Sequence, residues 1–365
     1  MTVEAAPTAH RIFERSDFMV FGLCAVAVGA AAVTRYANVP SVVAFIVAGA
    51  AVACLASLVG RSVEQLGDRF GAGATGVLQG ALGNLPELFI GFFALKAGLV
   101  SVVQSAIIGS ILSNILLVLG LAFVAGGLKH GTQTFNSERA RTTMVLMVLA
   151  TGALVLPSLA SYVHTPAEPH EKALSIFVAI ILLVVFALSL PASLKRSAST
   201  ASGAGAAAHT EPPRWPIWLA VALLAVASGC AALVSDWFVY ALEPAIQALG
   251  ISQAFAGLVI VAIAGNAIEN VIGIKLAWKN QSDYALSVII NSPLQIALVL
   301  APALVLLSLL TATTLTLVFA PMLIMAVAIT VIAVAFIVFD GESTWLEGAC
   351  LVALYAIIGA VFWWG

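Results

Sequence analysis

The sequence predicts an all-α integral membrane protein of about eleven transmembrane helices, arranged as two halves of inverted topology. Three observations carry this. Of 365 residues, 62% are hydrophobic and only 9% charged, far below the roughly one quarter that covers a water-soluble surface. Apolar runs of about 20 residues, the length that crosses a hydrocarbon core as a helix, recur from end to end. A motif in the third run also returns in the eighth at a constant offset. Weak alternation and abundant Gly and Ala argue against a barrel of short strands, and a helix satisfies its own backbone in lipid.

The expected spans lie near 18–36, 40–60, 73–97, 100–126, 139–158, 172–192, 215–241, 253–278, 283–309, 314–338 and 344–364. The first comes after His10, Arg11 and Arg15 in the manner of a signal peptide. Its length, and the membrane character of the rest of the chain, point instead to a retained span. Basic residues sort by side: Arg11, Arg15, Arg61, Arg69, Lys129, Arg139, Arg141, Lys195, Arg196, Arg214, Lys275 and Lys279 fall on one face, only Arg35, Lys96 and Lys172 on the other. The richer face is the cytoplasmic one. The amino terminus is therefore expected in the cytoplasm and, with an odd number of spans, the carboxyl terminus outside, as in a bacterial-type inner membrane. Residues 193–214, rich in Ser, Ala, Gly and Pro, read as a flexible cytoplasmic linker between the halves.

Several function classes drop out. A net charge of −2 suggests no nucleic-acid partner. Cys24, Cys54, Cys230 and Cys350 lie inside apolar runs without metal-ligand spacing, and the histidines fall outside the spans. Among these, His164, Glu168 and His170 read as a solvated loop rather than a metal site. Without HExxH, GxSxG or a P-loop, neither an intramembrane enzyme nor an ATP-driven pump has support, and no cofactor is expected.

The repeat locates the chemistry. Gly83-Asn84-Leu85-Pro86-Glu87-Leu88-Phe89-Ile90-Gly91 corresponds to Gly265-Asn266-Ala267-Ile268-Glu269-Asn270-Val271-Ile272-Gly273 at an offset of 182 residues (265 less 83). The same offset carries Gly109-Ser110 onto Asn291-Ser292 and Leu116 onto Leu298. The copies sit in the third and eighth spans, an odd number of crossings apart, so they run in opposite directions. Inverted repeats characterise transporters that hold substrate near the midplane, where the repeats meet.

Glu87 and Glu269 each fall near the middle of an apolar span, where a charge is costly and marks function. Asn84 and Asn266 precede them by three residues and share their helix faces. Gly83 and Gly91, and likewise Gly265 and Gly273, flank each glutamate by four residues, allowing close approach of a neighbouring backbone as well as ordinary helix packing. Pro86 and Pro293 free the carbonyls of Leu82 and Ile289 as possible hard-cation ligands. Two facing carboxylates in low dielectric repel, so an empty, doubly ionised pair is disfavoured. Two protons neutralise it, and so does one divalent cation, which amounts to antiport by competition. Calcium suits carboxylates, carbonyls and amides, whereas zinc or copper would want His or Cys. Glu64, Asp68, Asp236 and Glu243 form an outer tier that either lines a vestibule or caps solvated helix ends.

These residues resemble the calcium/proton exchanger branch of the cation/calcium exchanger superfamily. GNLPELFIGFFALKAG through GSILSNILLVLG is similar to its first signature, and GNAIENVIGIKLAWKN through NSPLQIALVLAP to its second. The resemblance implies an outlying first helix (1–38 with the tail), a first five-helix repeat over 39–192, the linker 193–214 and a second five-helix repeat over 215–365. It implies calcium and protons as substrates bound in turn by Glu87 and Glu269, assisted by Asn84, Asn266, Ser110, Asn114, Ser292 and Gln295. A sodium or potassium/proton antiporter, or a sodium/calcium exchanger, would share the fold, and a homo-oligomer is compatible with it. The sequence departs from the family pattern at Asn270, where members often carry His, at Leu85-Pro86, and at Asn291-Ser292-Pro293. Its linker also lacks the acidic helix many members have, so no calcium regulation is expected there.

Overall fold

The computed structural model is helical almost throughout and describes residues 12–37, 39–70, 78–79, 81–201 and 214–364, apart from the side chains of 68, 70, 139, 191–201 and 268. The tail to Arg11, Gly71, the Asp68 side chain and linker residues 202–213 lie outside it. In chain order the helices are α1 (Arg15–Tyr36), α2 (Ser41–Phe70), α3 (Leu85–Lys96), α4 (Val100–His130), α5 (Ser137–Tyr162), α6 (Glu171–Ala201), α7 (Ile217–Leu249), α8 (Gln253–Gly265), α9 (Ala267–Trp278), α10 (Ser282–Leu310), α11 (Pro321–Val338) and α12 (Trp345–Trp363). Among the described residues nine helices are long and apolar enough to cross a membrane, or ten when α8 and α9 count as one bent span. Large apolar side chains such as Phe18, Leu188 and Phe336 point outward, as expected where the solvent is lipid.

Several boundaries differ from expectation. The eighth span bends by 64° between α8 and α9, and α3 likewise starts only after a turn at Gly83-Asn84. Pro86 does not interrupt a running helix. It sits in the first turn of α3, where no intrahelical donor is needed. Pro293 lies inside α10, which continues through it into a π-helical turn at Ile296–Leu300. A matching π-helical turn occupies Ser113–Val118 of α4. α6 carries helix through Ala201, into the stretch from 193 read as linker; its Ala, Leu, Lys and Arg residues tolerate helix well.

The expected span 314–338 becomes helical only at Pro321. Residues 314–320 are neither helix nor strand, and Thr314-Leu315-Thr316-Leu317-Val318-Phe319 alternates with the period of a strand. Leu315, Leu317 and Phe319 turn inward and are buried. Side chains replace a neighbouring strand. Gln104 Nε2 donates to the carbonyls of Thr316 and Val318 (3.0 and 2.9 Å), Leu317 N donates to Ser175 Oγ (2.9 Å), and Phe319 N donates to Ser158 Oγ (2.9 Å).

The halves interlock. α12, the last helix of the second half, packs along α4 of the first, and α6 packs along α10. At the α4–α12 crossing a Cβ on Gly120 would stand 2.7 Å from the Gly348 carbonyl, and one on Gly127 2.7 Å from Trp345 N. Only glycine permits that separation. A short antiparallel ribbon, β1 (Gln133–Thr134) with β2 (Glu342–Ser343), joins the loops beside this crossing.

α1 is peripheral, with 17% of its apolar window buried, and packs on α2 and α7. Its amino-terminal end is nonetheless fixed. Asp17, 1% exposed, pairs with Arg61 at 3.0 Å and Arg214 at 3.3 Å, while Arg214 reaches Glu14 at 2.8 Å. Gln65 Oε1 accepts from the backbone N–H groups of Arg214 and Trp215 (2.8 and 3.1 Å), and the Trp215 ring lies against Phe13 and Phe21. Removing the buried partner strands two cations, one of which reaches water. Asp17→Ala should therefore lower stability by about 1–3 kcal/mol. Glu14→Ala, at a site 53% exposed, should change it by less than about 1 kcal/mol. Thermal unfolding of the purified variants checks this, and equal effects would contradict it.

Candidate functional site

The two breaks are built alike. Asn84 caps α3 with φ −92° and ψ 20°, and Asn266 caps α9 with φ −92° and ψ 17°. Glu87 and Glu269 lie in the first turns of these two helices, where unpaired N–H groups and the helix dipole favour negative charge. Glu87 is 9% exposed, and Glu269 is half-buried. They are within electrostatic reach of each other.

Asn266 is the hub. Fully buried, it accepts on Oδ1 from Asn114 Nδ2 (3.0 Å) and Ser292 Oγ (3.4 Å), and donates from Nδ2 to Ser110 Oγ (3.1 Å) and the Ala262 carbonyl (2.9 Å). One amide thus ties α4, α8, α9 and α10 together. Among the described residues Asn84 has no such network, and its Nδ2 is buried without a hydrogen-bond partner there, as are Glu87 Oε2, Asn114 Oδ1 and Asn270 Oδ1. The three unpaired oxygens are of the kind a hard cation takes, whereas the Asn84 Nδ2 donor suits water.

The glycines do different work from that expected. Gly91, Gly265 and Gly273 make room for side chains rather than for a backbone: Leu304, Glu87 and Ile289 respectively. A Cβ on Gly265 would stand 2.8 Å from Glu87 Cγ and 3.3 Å from its Oε1, so the second half's glycine seats the first half's carboxylate. Gly83 instead faces Gln79: a Cβ there would stand 2.5 Å from its backbone carbonyl oxygen and 3.4 Å from its Nε2. Close backbone approach occurs at Gly109, against Leu258, and at Gly257, against Val102. This crossing of α4 and α8 brings Ser110 and Asn114 to Asn266.

The structure therefore gathers Glu87, Asn266, Ser110, Asn114, Ser292 and Gly265, with Glu269 and Asn84 at the paired helix starts. Gln295 is half-buried on α10, and among the described residues no hydrogen bond joins it to the network. Glu64 on α2 and Asp236 and Glu243 on α7 are exposed and outside the cluster. Gln79 escaped the sequence reading, although a polar residue eight positions before Glu87 in an apolar run was a signal. A small, partly open cavity of about 30 Å³ reaches Glu87 and Ser110 between aliphatic walls that include Ile90, Ile107 and Leu304.

The chain is similar to known proteins over most of its length. The family model described as "Sodium/calcium exchanger protein" matches residues 40–195 and 219–364. A Ca(2+)/H(+) antiporter of Aphanothece halophytica is 36% identical over 332 residues, covering 87% of this chain and 89% of that protein. The Ca(2+)/H(+) antiporter ChaA of Bacillus subtilis is 36% identical over 324 residues, covering 88% and 92%. The solved structure of native YfkE superposes with a TM-score of 0.80 at 34% identity, over 94% of this chain and 99% of that one.

The asymmetry between the two caps is directly testable. Asn266→Ala leaves Asn114, Ser110 and Ser292 without their partner and should cost about 2–4 kcal/mol of stability. Asn84→Ala removes an amide whose Nδ2 is already unpaired and should cost about 1 kcal/mol or less. Equal losses on thermal unfolding would contradict the hub.

Proposed function

Because the chain belongs to the sodium/calcium exchanger protein family, we propose that it exchanges calcium for protons across a membrane by alternating access, with both substrates competing for Glu87 and Glu269. The observation that carries this reading is the seating of Glu87 against Gly265 beside the Asn266 hub, which joins the two halves at a carboxylate. Relatives named Ca(2+)/H(+) antiporters, at 36% identity over most of both chains, point to the same substrates.

The residues divide the work by their chemistry. Glu87 and Glu269 hold either the cation or protons. Asn84, Asn114 and Ser110 offer oxygens of the kind calcium prefers, and Gly265 keeps room for the Glu87 carboxylate. Asn266 holds the frame, since its own polar atoms are already engaged. Ser292 supports it, and Gln295 lies farther along α10. The helix starts behind each glutamate stabilise the ionised form, whereas an apolar cavity wall and a second carboxylate oppose it. That balance lets a divalent cation or a proton pair tip the site in either direction. Glu64, Asp68, Asp236 and Glu243 lie along α2 and α7, where they would draw cations toward the bundle. The bias of basic residues supports a cytoplasmic amino terminus and an external carboxyl terminus, in a cell membrane of bacterial type.

Proteoliposomes with an imposed pH gradient test the reading. Calcium uptake should track the gradient and cease when it is collapsed. Glu87→Gln and Glu269→Gln should each reduce uptake at least about 100-fold while leaving the protein folded, since either removes a cation ligand and a titrating group. Near-normal uptake by either variant would rule out the shared two-carboxylate site. Sodium or potassium driving or replacing the calcium flux would select the sibling exchange reactions of the same fold.

Orientation is a separate matter. A reporter placed after Trp364 should be accessible only from outside the cell, and one placed before Phe13 only from the cytoplasm. Both on one side would refute the odd number of crossings.

A further inference from the structure

The half-helices α3 and α9 match at their far ends as closely as at their carboxylates. α3 ends in a left-handed turn at Gly98 (φ 80°) and α9 at Asn280 (φ 60°), positions related by the repeat offset. Gly98 N donates to the Leu95 carbonyl and Asn280 N to the Ala277 carbonyl, both at 3.0 Å. Leu99 N donates to Ala94 and Gln281 N to Leu276, both at 2.9 Å. Leu95 and Ala277 are again one offset apart.

Each of these carbonyls also accepts from a side chain of the opposite half. Thr313 Oγ1, after α10, donates to the Leu95 carbonyl at 2.6 Å. Gln133 Nε2, after α4, donates to the Ala277 carbonyl at 3.1 Å and to Asn280 Oδ1 at 2.8 Å. The segments that supply them correspond as well: Thr132-Gln133-Thr134-Phe135 falls on Thr314-Leu315-Thr316-Leu317 at the same offset. In both, alternate residues are buried: Gln133 and Phe135, Leu315 and Leu317. Their moorings correspond too. Gln133 Oε1 lies over Gly126, where a Cβ has no room, and Leu315 N donates to Ser308 Oγ at 2.9 Å, one offset on from Gly126.

We propose that Gln133 and Thr313 are positioning residues of the exchange site. Each clasps the carboxyl-terminal end of the opposite half's half-helix, Gln133 that of α9 with Glu269 and Thr313 that of α3 with Glu87. The clasps thereby set the height at which each carboxylate stands. This rests on the exchange reading above. Glu87 and Leu95 are eight residues apart, as are Glu269 and Ala277, or about 12 Å along a rigid helix. The amino-terminal end of each half-helix is a break without a continuing hydrogen-bond ladder, and on α9 the Asn266 amide holds that end; the clasp at the far end adds the second hold that fixes axial position. The clasps differ in one respect. Among the described residues Thr313 is the one side chain that donates to Leu95, whereas Lys129 Nζ and His130 Nε2, both exposed, reinforce Gln133 by donating to the Trp278 carbonyl at 3.0 Å each.

Two measurements on the purified full chain test the proposal. In proteoliposomes, Thr313→Val and Gln133→Leu should each raise the half-saturating calcium concentration about three- to tenfold, the range spanned by one neutral hydrogen bond. The maximal rate should stay within about twofold, and Thr313→Ser, which keeps the hydroxyl, should restore the parent value. If Gln133→Leu fails to fold, Gly126→Ala, which pushes the Gln133 amide off its seat, carries the same expectation. In hydrogen–deuterium exchange, Thr313→Val should quicken exchange over 85–96 and leave 267–278 as in the parent, and the Gln133 variant should do the reverse. This second measurement needs no transport. A parent chain that exchanges no calcium would sink the exchange reading while the clasps are still decided. Unchanged or uniformly raised hydrogen exchange in both variants would overturn the proposal, and so would Thr313→Ser as impaired as Thr313→Val.

Discussion

Carboxylates held inside an apolar bundle must have their lost hydration replaced, because lipid and aliphatic side chains supply none. The arrangement around Glu87 and Glu269 answers that constraint. Breaking the helix just before each glutamate turns a continuous ladder into a helix start with free N–H groups. The asparagine at each break ends one helix and caps the next. The bent geometry must then be held without water, and the Asn266 amide does so by drawing on α4, α8, α9 and α10. That reach is possible only because Gly109 and Gly257 let two helix backbones touch.

Much of this was legible in the sequence. The constant offset between Gly83-Asn84-Glu87 and Gly265-Asn266-Glu269 identified the paired helix starts, and the matching cap angles express the same repetition. What sequence could not reveal was which contacts are shared. Gly265 seats Glu87, but Gly83 does not seat Glu269 in return, and nothing in the repeated motif records that difference. Proline marked one break and not the other: Pro86 stands in the first turn after Gly83-Asn84, whereas Pro293 lies inside α10 and leads into π-helical winding. Residues 314–320 were apolar enough to pass as part of a span. Their strand-like alternation was present in the sequence but outweighed by length.

The backbone is thus close to symmetric where the hydrogen bonding is not. Asn266 is saturated, and among the described residues Asn84 Nδ2 is unpaired. Among the described residues one end of α9 is held through groups that reach water, and one end of α3 by Thr313. An exchanger must offer its site to two faces in turn, and two equivalent half-helices in unequal surroundings provide a structural difference between those presentations. The peripheral α1 stands apart from this. Its ion cluster fixes the start of α7 to α2 at Arg214-Trp215, beside the joint between the halves.

The glycine crossing of α4 with α12 bears on how the chain is made. Gly120 and Gly127 are shaped to receive Gly348 and Trp345, residues that leave the ribosome more than 200 positions after α4. At about 5–20 residues per second, α4 waits roughly 10–40 s for its partner. During that interval its small-residue groove faces lipid or a provisional neighbour. The first half therefore cannot reach its final packing during its own synthesis, and assembly closes only when the last helix inserts.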